Sequence, residues 1–354
     1  MKKYLSIFIA IIMTASCLCA CSSPDLNAAG GDDKIQIVTT IFPEYDWVLN
    51  VLGENPANME VTMLLNNGVD LHSYQPTADD ILKISTCDMF IYVGGESDKW
   101  VADAVKESVN KDMVVINLMD VLGSLAKEEE IVEGMQSGEE DHEHEDEIEY
   151  DEHVWLSLRN TASFVQEISD SLQKIDPQNA EAYKNNAASY IAKLDALDKE
   201  YSQTIDSASV HTLLFGDRFP FRYLVDDYGL EYYAAFAGCS AETEASFETI
   251  TFLSQKADEL NLPAVLTIDG SDHKIAETIV ENMQSKDTPI LSLDSMQSIT
   301  SADIENGATY LTIMEKNLSV LKQALKKAGI TLYGSHACHN MHISIPTLPR
   351  YRAY

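Results

Sequence analysis

From residue 35 onward, short apolar runs rich in β-branched residues alternate with stretches whose apolar positions recur every three or four residues. Residues 35–40, 59–64, 89–93 and 113–117 read as strands. Helices are expected over 44–52, from Pro76 onward with Thr77 as N-cap, and over 98–109. Helical spacing then holds over 158–175 and 179–207, with a break at Asp176-Pro177. In the second of these segments Tyr183, Ala187, Tyr190, Leu194 and Leu197 share one face, and the segment is long enough to serve as a strut. The alternation resumes with strands over 212–215, 232–236, 264–268 and 290–293, and helices over 247–260, 272–284 and 302–327. This pattern predicts two α/β lobes with mixed or parallel four-stranded sheets, joined by a long rigid helix. The N-terminal lobe would cover 34–155, including a loop over 128–152, followed by linking helices over 156–207 and a C-terminal lobe over 208–328.

Both ends depart from this pattern. Met1-Lys2-Lys3, a short apolar stretch and Leu18-Cys19-Ala20-Cys21 read as a secretory signal over 1–21, too short to span a bilayer. Residues 22–33, rich in Ser, Asn, Ala, Gly and Asp, read as a flexible tether. Residues 329–354 carry His336, His339, His342 and Cys338 but no acid, and the abrupt change in composition reads as a disordered or non-native extension. We expect no site there.

The chain has 24 Lys and Arg against 57 Asp and Glu, a net charge of -33. Such a field repels nucleic acid and anionic headgroups and attracts cations. The densest acidic run, 139–147, carries His142 and His144 and has too little apolar content to pack as a core; it reads as a solvated loop able to hold a divalent cation loosely.

The chemistry centres on two other histidines. His72 lies between the turn residues Gly68 and Pro76, and His153 stands where the acidic run meets a helix, so both fall at element boundaries. In an open α/β sheet ligands sit beyond the carboxyl ends of strands, and with two lobes that place is the cleft between them. His72 follows one strand, Asp217 another, and Asp269, Asp272 and His273 a third.

Residues 68–76 resemble the G-x-x-x-H-x-Y-x-P segment of the metal-binding solute-binding lipoproteins of zinc and manganese ABC importers. Residues 151–156 resemble their D-x-H-V-W-L segment, and the acidic His-bearing insertion is similar to the loop of the zinc-specific members. Residues 91–95 and 223–230 fit as well, so the resemblance runs over about 35–325. It implies an interlobe metal cleft with His72 and His153 as ligands, and two more ligands from the second lobe. A third His is common there, but the matching position is Arg218, whose guanidinium has no lone pair to offer, which moves the expectation to Asp217. His273 is the expected fourth ligand. Three imidazoles and one carboxylate suit Zn²⁺, with Mn²⁺ as the alternative if oxygen donors dominate. The resemblance further implies lipidation at Cys21, anchorage outside the cell membrane, delivery of the metal to an ABC permease by a monomer, and no enzymatic step.

Two other classes of protein touch on the same residues. His142-Glu143-His144-Glu145-Asp146 superficially matches the H-x-H-x-D opening of some zinc hydrolases, but Glu147 follows and no matching downstream histidines appear. A surface adhesin would use the 16 tyrosines and the acidic face, yet leaves His72 and His153 without a role. Cys87 reads as an inert core thiol, and a pairing with Cys239 stays open.

Overall fold

The computed structural model describes residues 34–54, 58–136, 149–240 and 244–326. The signal and tether, Cys21, His142, His144 and the tail beyond 326 lie outside the described residues.

Strands β1 (Ile35–Thr39), β2 (Met59–Met63), β3 (Met89–Tyr92) and β4 (Val114–Asn117) form one four-stranded sheet in the order β2-β1-β3-β4. Strands β5 (Thr212–Phe219), β6 (Glu231–Ala237), β7 (Val265–Ile268) and β8 (Ile290–Leu293) form a second, in the order β6-β5-β7-β8. Every strand pair is parallel, so of the mixed and parallel alternatives the parallel one holds in both lobes. The reason lies in the connections. Parallel neighbours need crossovers, and helices provide them: α1 (Phe42–Leu52), α2 (Ala78–Thr86) and α3 (Val101–Lys106) in the first lobe, and, after the helices joining the lobes, α7 (Arg222–Tyr228), α8 (Phe247–Leu260) and α9 (Lys274–Asn282) in the second. The capping residue expected for α2 is in place, with Thr77 accepting the backbone N–H of Asp80 and Asp80 returning the bond.

A short α4 (Leu118–Leu122) follows β4, and α5 (Leu158–Ile175) and α6 (Ala180–Asp206) join the lobes. With 27 residues, α6 is about 40 Å long, and it packs on α1 of the first lobe and on α7 and the last helix of the second. The expected closing helix is two helices, α10 (Ser301–Glu305) and α11 (Tyr310–Ala324). Gly307 takes a φ of 92°, which ends the first, and Thr309 starts the second by capping Thr312.

One hydrophobic core runs through both lobes. At its centre Trp47 of α1 stacks on Phe164 of α5 with ring centroids 5.6 Å apart and meets Tyr310 of α11 edge-on at 5.4 Å. The Tyr310 hydroxyl donates to the Trp155 carbonyl at 2.7 Å, and the Trp155 indole donates to the Ser295 carbonyl at 2.9 Å. Further on, the Ser301 N–H donates to the Asn66 carbonyl at 3.0 Å. These contacts hold the facing edges of the lobes and define the cleft. Cys87 is a buried core thiol against Met113, and Cys87 and Cys239 are both free, so the pairing left open by the sequence is absent.

Candidate metal centre

His72 sits in a single 3₁₀ turn, Leu71–Ser73, beyond β2, and His153 immediately precedes another, Val154–Leu156. The same local device positions both. Asp70 Oδ1 accepts the backbone N–H of His72 at 3.0 Å, and Asp151 Oδ1 accepts that of His153 at 2.8 Å. Each aspartate closes a turn two residues ahead of its own position, which fixes the chain direction from which the imidazole leaves. The rings are then anchored from behind. His72 Nδ1 lies 2.7 Å from Ser97 Oγ, and His153 Nδ1 lies 3.0 Å from Asp151 Oδ1. With each Nδ1 proton given to its oxygen partner, the Nε2 atoms carry lone pairs, and they face each other at 3.1 Å. Two lone pairs at that distance repel unless a cation lies against them.

The surroundings keep His72 neutral. Burial first, then repulsion from charge on His153 and from Arg218, pushes His72 down to about 3, with Asp70 acting in the opposite direction. His153 is fully buried. Behind them, Glu152 Oε1 accepts the Ser97 N–H at 2.9 Å, fixing the residue that holds the His72 ring. Burial raises the Glu152 carboxyl above its usual range, and burial together with the charge of Glu152 brings Asp98 up to about 7.

The second lobe differs from expectation. Strand β5 continues to Phe219, with a register shift between Phe215 and Arg218, so Asp217 and Arg218 lie inside an irregular strand and not in a loop after it. The Asp217 carboxylate serves the backbone, accepting the N–H of Arg218 at 2.8 Å and of Ile268 at 3.2 Å. Arg218 reaches across the cleft and donates to Asp70 Oδ2 at 2.9 Å. That aspartate is the one whose other oxygen orients His72. His273 adopts a left-handed φ of 59° ahead of α9, and its Nδ1 lies 2.9 Å from Thr267 Oγ1. The structure therefore does not bring Asp217 or His273 together with the two imidazoles, because each is engaged within its own lobe.

Cys239 comes to them instead. Ligand atoms of His72, His153 and Cys239 all lie within 4.8 Å of one another, and among the described residues no other such group of three His, Cys or acidic side chains occurs. Cys239 stands two residues past the end of β6, which is the carboxyl-end position that drew attention to Asp217 and His273. That signal was present, but the cysteine read as a disulfide candidate. Burial and the carboxylates of Glu129, Asp151 and Glu152 push its thiol well above the usual range. Gln297 is the other residue the sequence did not mark. Its Nε2 lies 3.1 Å from His153 Nε2, and the preceding Met296, buried with a φ of 60°, holds it there. Asp70, Asp217, Arg218, Asp269 and Gln297 line a cavity of about 490 Å³ beside the histidine pair.

Two parallel-sheet lobes around a polar cleft, with two imidazoles converging in it, define a two-lobed binding protein whose cleft is built for a small cation. Comparison with known proteins places it further. The family described as zinc-uptake complex component A, periplasmic, matches residues 37–324, and the chain belongs to that family. The zinc-binding lipoprotein AdcA of Streptococcus pneumoniae (TIGR4) is 32% identical over 324 residues, 91% of this chain and 62% of that protein. The chain thus spans about three fifths of the length of that relative. The high-affinity zinc uptake system protein ZnuA of Bacillus subtilis (strain 168) is 30% identical over 325 residues, 92% of this chain and 98% of that protein. The crystal structure of the Zn(II)-bound ZnuA-like domain of Streptococcus pneumoniae AdcA superposes with a TM-score of 0.65 at 28% identity, covering 83% of this chain and 100% of that one.

Proposed function

We infer that the chain captures zinc in the interlobe cleft outside the cell membrane and delivers it to an ABC permease. The observation that carries this reading is the convergence of the His72 and His153 Nε2 atoms at 3.1 Å, each ring anchored through its other nitrogen. Imidazoles held in that way suit Zn²⁺, which takes nitrogen donors at about 2.0–2.1 Å. The relatives described as zinc-binding and zinc-uptake proteins support the same cargo over Mn²⁺. No chemical step is needed: the metal enters, the lobes close by a limited motion around the shared core, and the closed face meets the permease. Cleavage of the signal and lipidation at Cys21 tether the monomer to the membrane, and the acidic run with His142 and His144 collects metal weakly.

The test is metal content of the soluble form beginning at Ser22, chelated and refilled with zinc or manganese. One equivalent of tight zinc is expected, lost in the His72→Ala/His153→Ala double variant and kept when His142 and His144 are replaced. Binding that follows the acidic run instead, or no tight metal at all, overturns the reading.

A further inference from the structure

The cleft offers many polar side chains, yet most are committed. Arg218 is paired with Asp70, Asp217 accepts two backbone N–H groups, and His273 meets Thr267. What remains against the two imidazoles is a sulfur. The geometry points to Cys239 as the third metal donor, bound as a thiolate, which tunes the cleft to soft and borderline cations such as Zn²⁺ and Cd²⁺ and against Mn²⁺. This rests on the reading of the cleft as a metal site and names the donor that gives it selectivity.

Three observations support it. The first is distance. A tetrahedral zinc with Zn–N of about 2.0–2.1 Å and Zn–S of about 2.3 Å places its donor atoms about 3.3–3.6 Å apart. The imidazole Nε2 atoms already stand at 3.1 Å, and the sulfur lies within 4.8 Å of a ring nitrogen of each histidine, so side-chain adjustments bring all three donors onto one ion. The second is the backbone. Gly238 passes directly against His153, and a Cβ built there would come within 2.9 Å of the ring Cε1 and of the Phe219 carbonyl oxygen, so glycine is what lets the chain deliver the next residue to the imidazole. Glu129 Oε1 then accepts the Cys239 N–H at 3.2 Å and pins that residue in place. The third is availability: among the described residues Cys239 has no disulfide partner.

Binding breaks the S–H bond, forms a metal–sulfur bond and releases one proton to solvent, with no change of oxidation state. Two neutral imidazoles and one thiolate would leave a bound dication with a net charge of +1, beside the Gln297 amide that lies against His153. Among these three donors the anionic one is sulfur, and sulfur discriminates against manganese, which prefers oxygen.

The experiment is cobalt substitution of the full chain after chelation, followed by absorption spectroscopy, with Cys239→Ala alongside. Wild type with one equivalent of Co²⁺ is expected to show a near-ultraviolet sulfur-to-cobalt charge-transfer band. The variant should still bind cobalt through His72 and His153, without the band, and should hold zinc about ten- to a hundredfold more weakly. Cobalt bound to wild type with no such band overturns the thiolate and leaves the cleft site standing. So does a band that persists in Cys239→Ala, which would assign the sulfur elsewhere. Wild type that takes up neither cobalt nor zinc overturns the cleft reading itself. The wild-type spectrum needs no variant, so misfolding of Cys239→Ala would not shield the proposal.

Discussion

The two halves of the cleft are built by different means. In the first lobe each imidazole is placed by an aspartate two residues before it, Asp70 for His72 and Asp151 for His153, so the positioning device travels with the donor in a three-residue segment. In the second lobe nothing local does this. Arg218 and Asp217 are positioned by an irregularity in β5, Cys239 by the end of β6 and by the bond its N–H donates to Glu129, and Gln297 by a strained Met296 after β8. The first half is written into short motifs, the second into topology.

The largest expected effect comes from breaking the first half. His153→Ala removes a fully buried donor and should weaken zinc binding at least about a hundredfold by competition against a chelator, since loss of even an outer partner costs ten- to a hundredfold. Asp151→Ala leaves the imidazole but frees both its backbone and its Nδ1. Zinc affinity should drop by about ten- to a hundredfold; an unchanged value would show that the D-x-H turn does not position the ring. Arg218→Met removes the ion pair that ties the second lobe to Asp70 while leaving the Asp70 turn intact. The metal-free chain should lose about 1–2 kcal/mol in denaturant titration, and no loss would mean the lobes are held by the shared core alone.

Asp98 supplies a pH-dependent test behind the first half. Its folded value near 7 lies above the ordinary 3.8, so between those values the folded chain holds more protons than the unfolded one. The contribution of Asp98 to stability is therefore present at low pH and lost as pH rises through about 7. Asp98→Asn, which can still accept the Gly94 N–H, should raise the melting temperature of the metal-free chain by a few degrees at pH 8 and by clearly less at pH 5. Equal shifts at both values would show that the carboxyl does not titrate in that window. The smallest effect is expected in the second half. His273→Ala should leave zinc affinity within about twofold, because that ring is spent on Thr267; a tenfold loss would return His273 to the ligand set.

Much of the frame was legible because it depends on period and punctuation. Helix α5 runs over Leu158–Ile175 and α8 over Phe247–Leu260, where the apolar spacing placed them, and Thr77 caps α2 as its position before an acidic first turn predicts. The break inside 302–327 was less visible. Gly307 and Thr309 interrupt the segment through a positive φ and a new cap, while the apolar spacing continues on both sides. In β5 the reading stopped at Phe215 because the alternation ends there. The strand continues to Phe219 through an irregularity, and that shift placed Asp217 in a loop that does not exist.

By itself the sequence determined that there are two α/β lobes, that His72 and His153 stand at element boundaries with their own aspartates, and that Arg218 is no ligand. These are properties of adjacent residues and of side-chain chemistry. Only the tertiary structure decided that Asp217 and His273 turn to partners within their own lobe, that Arg218 crosses to Asp70, and that Cys239 and Gln297 face the imidazoles. Which donors meet in a cleft depends on where strands bulge and end and on how two lobes pack, and the contacts that cross the cleft, Arg218 to Asp70 and Gln297 to His153, join residues more than a hundred positions apart in the chain.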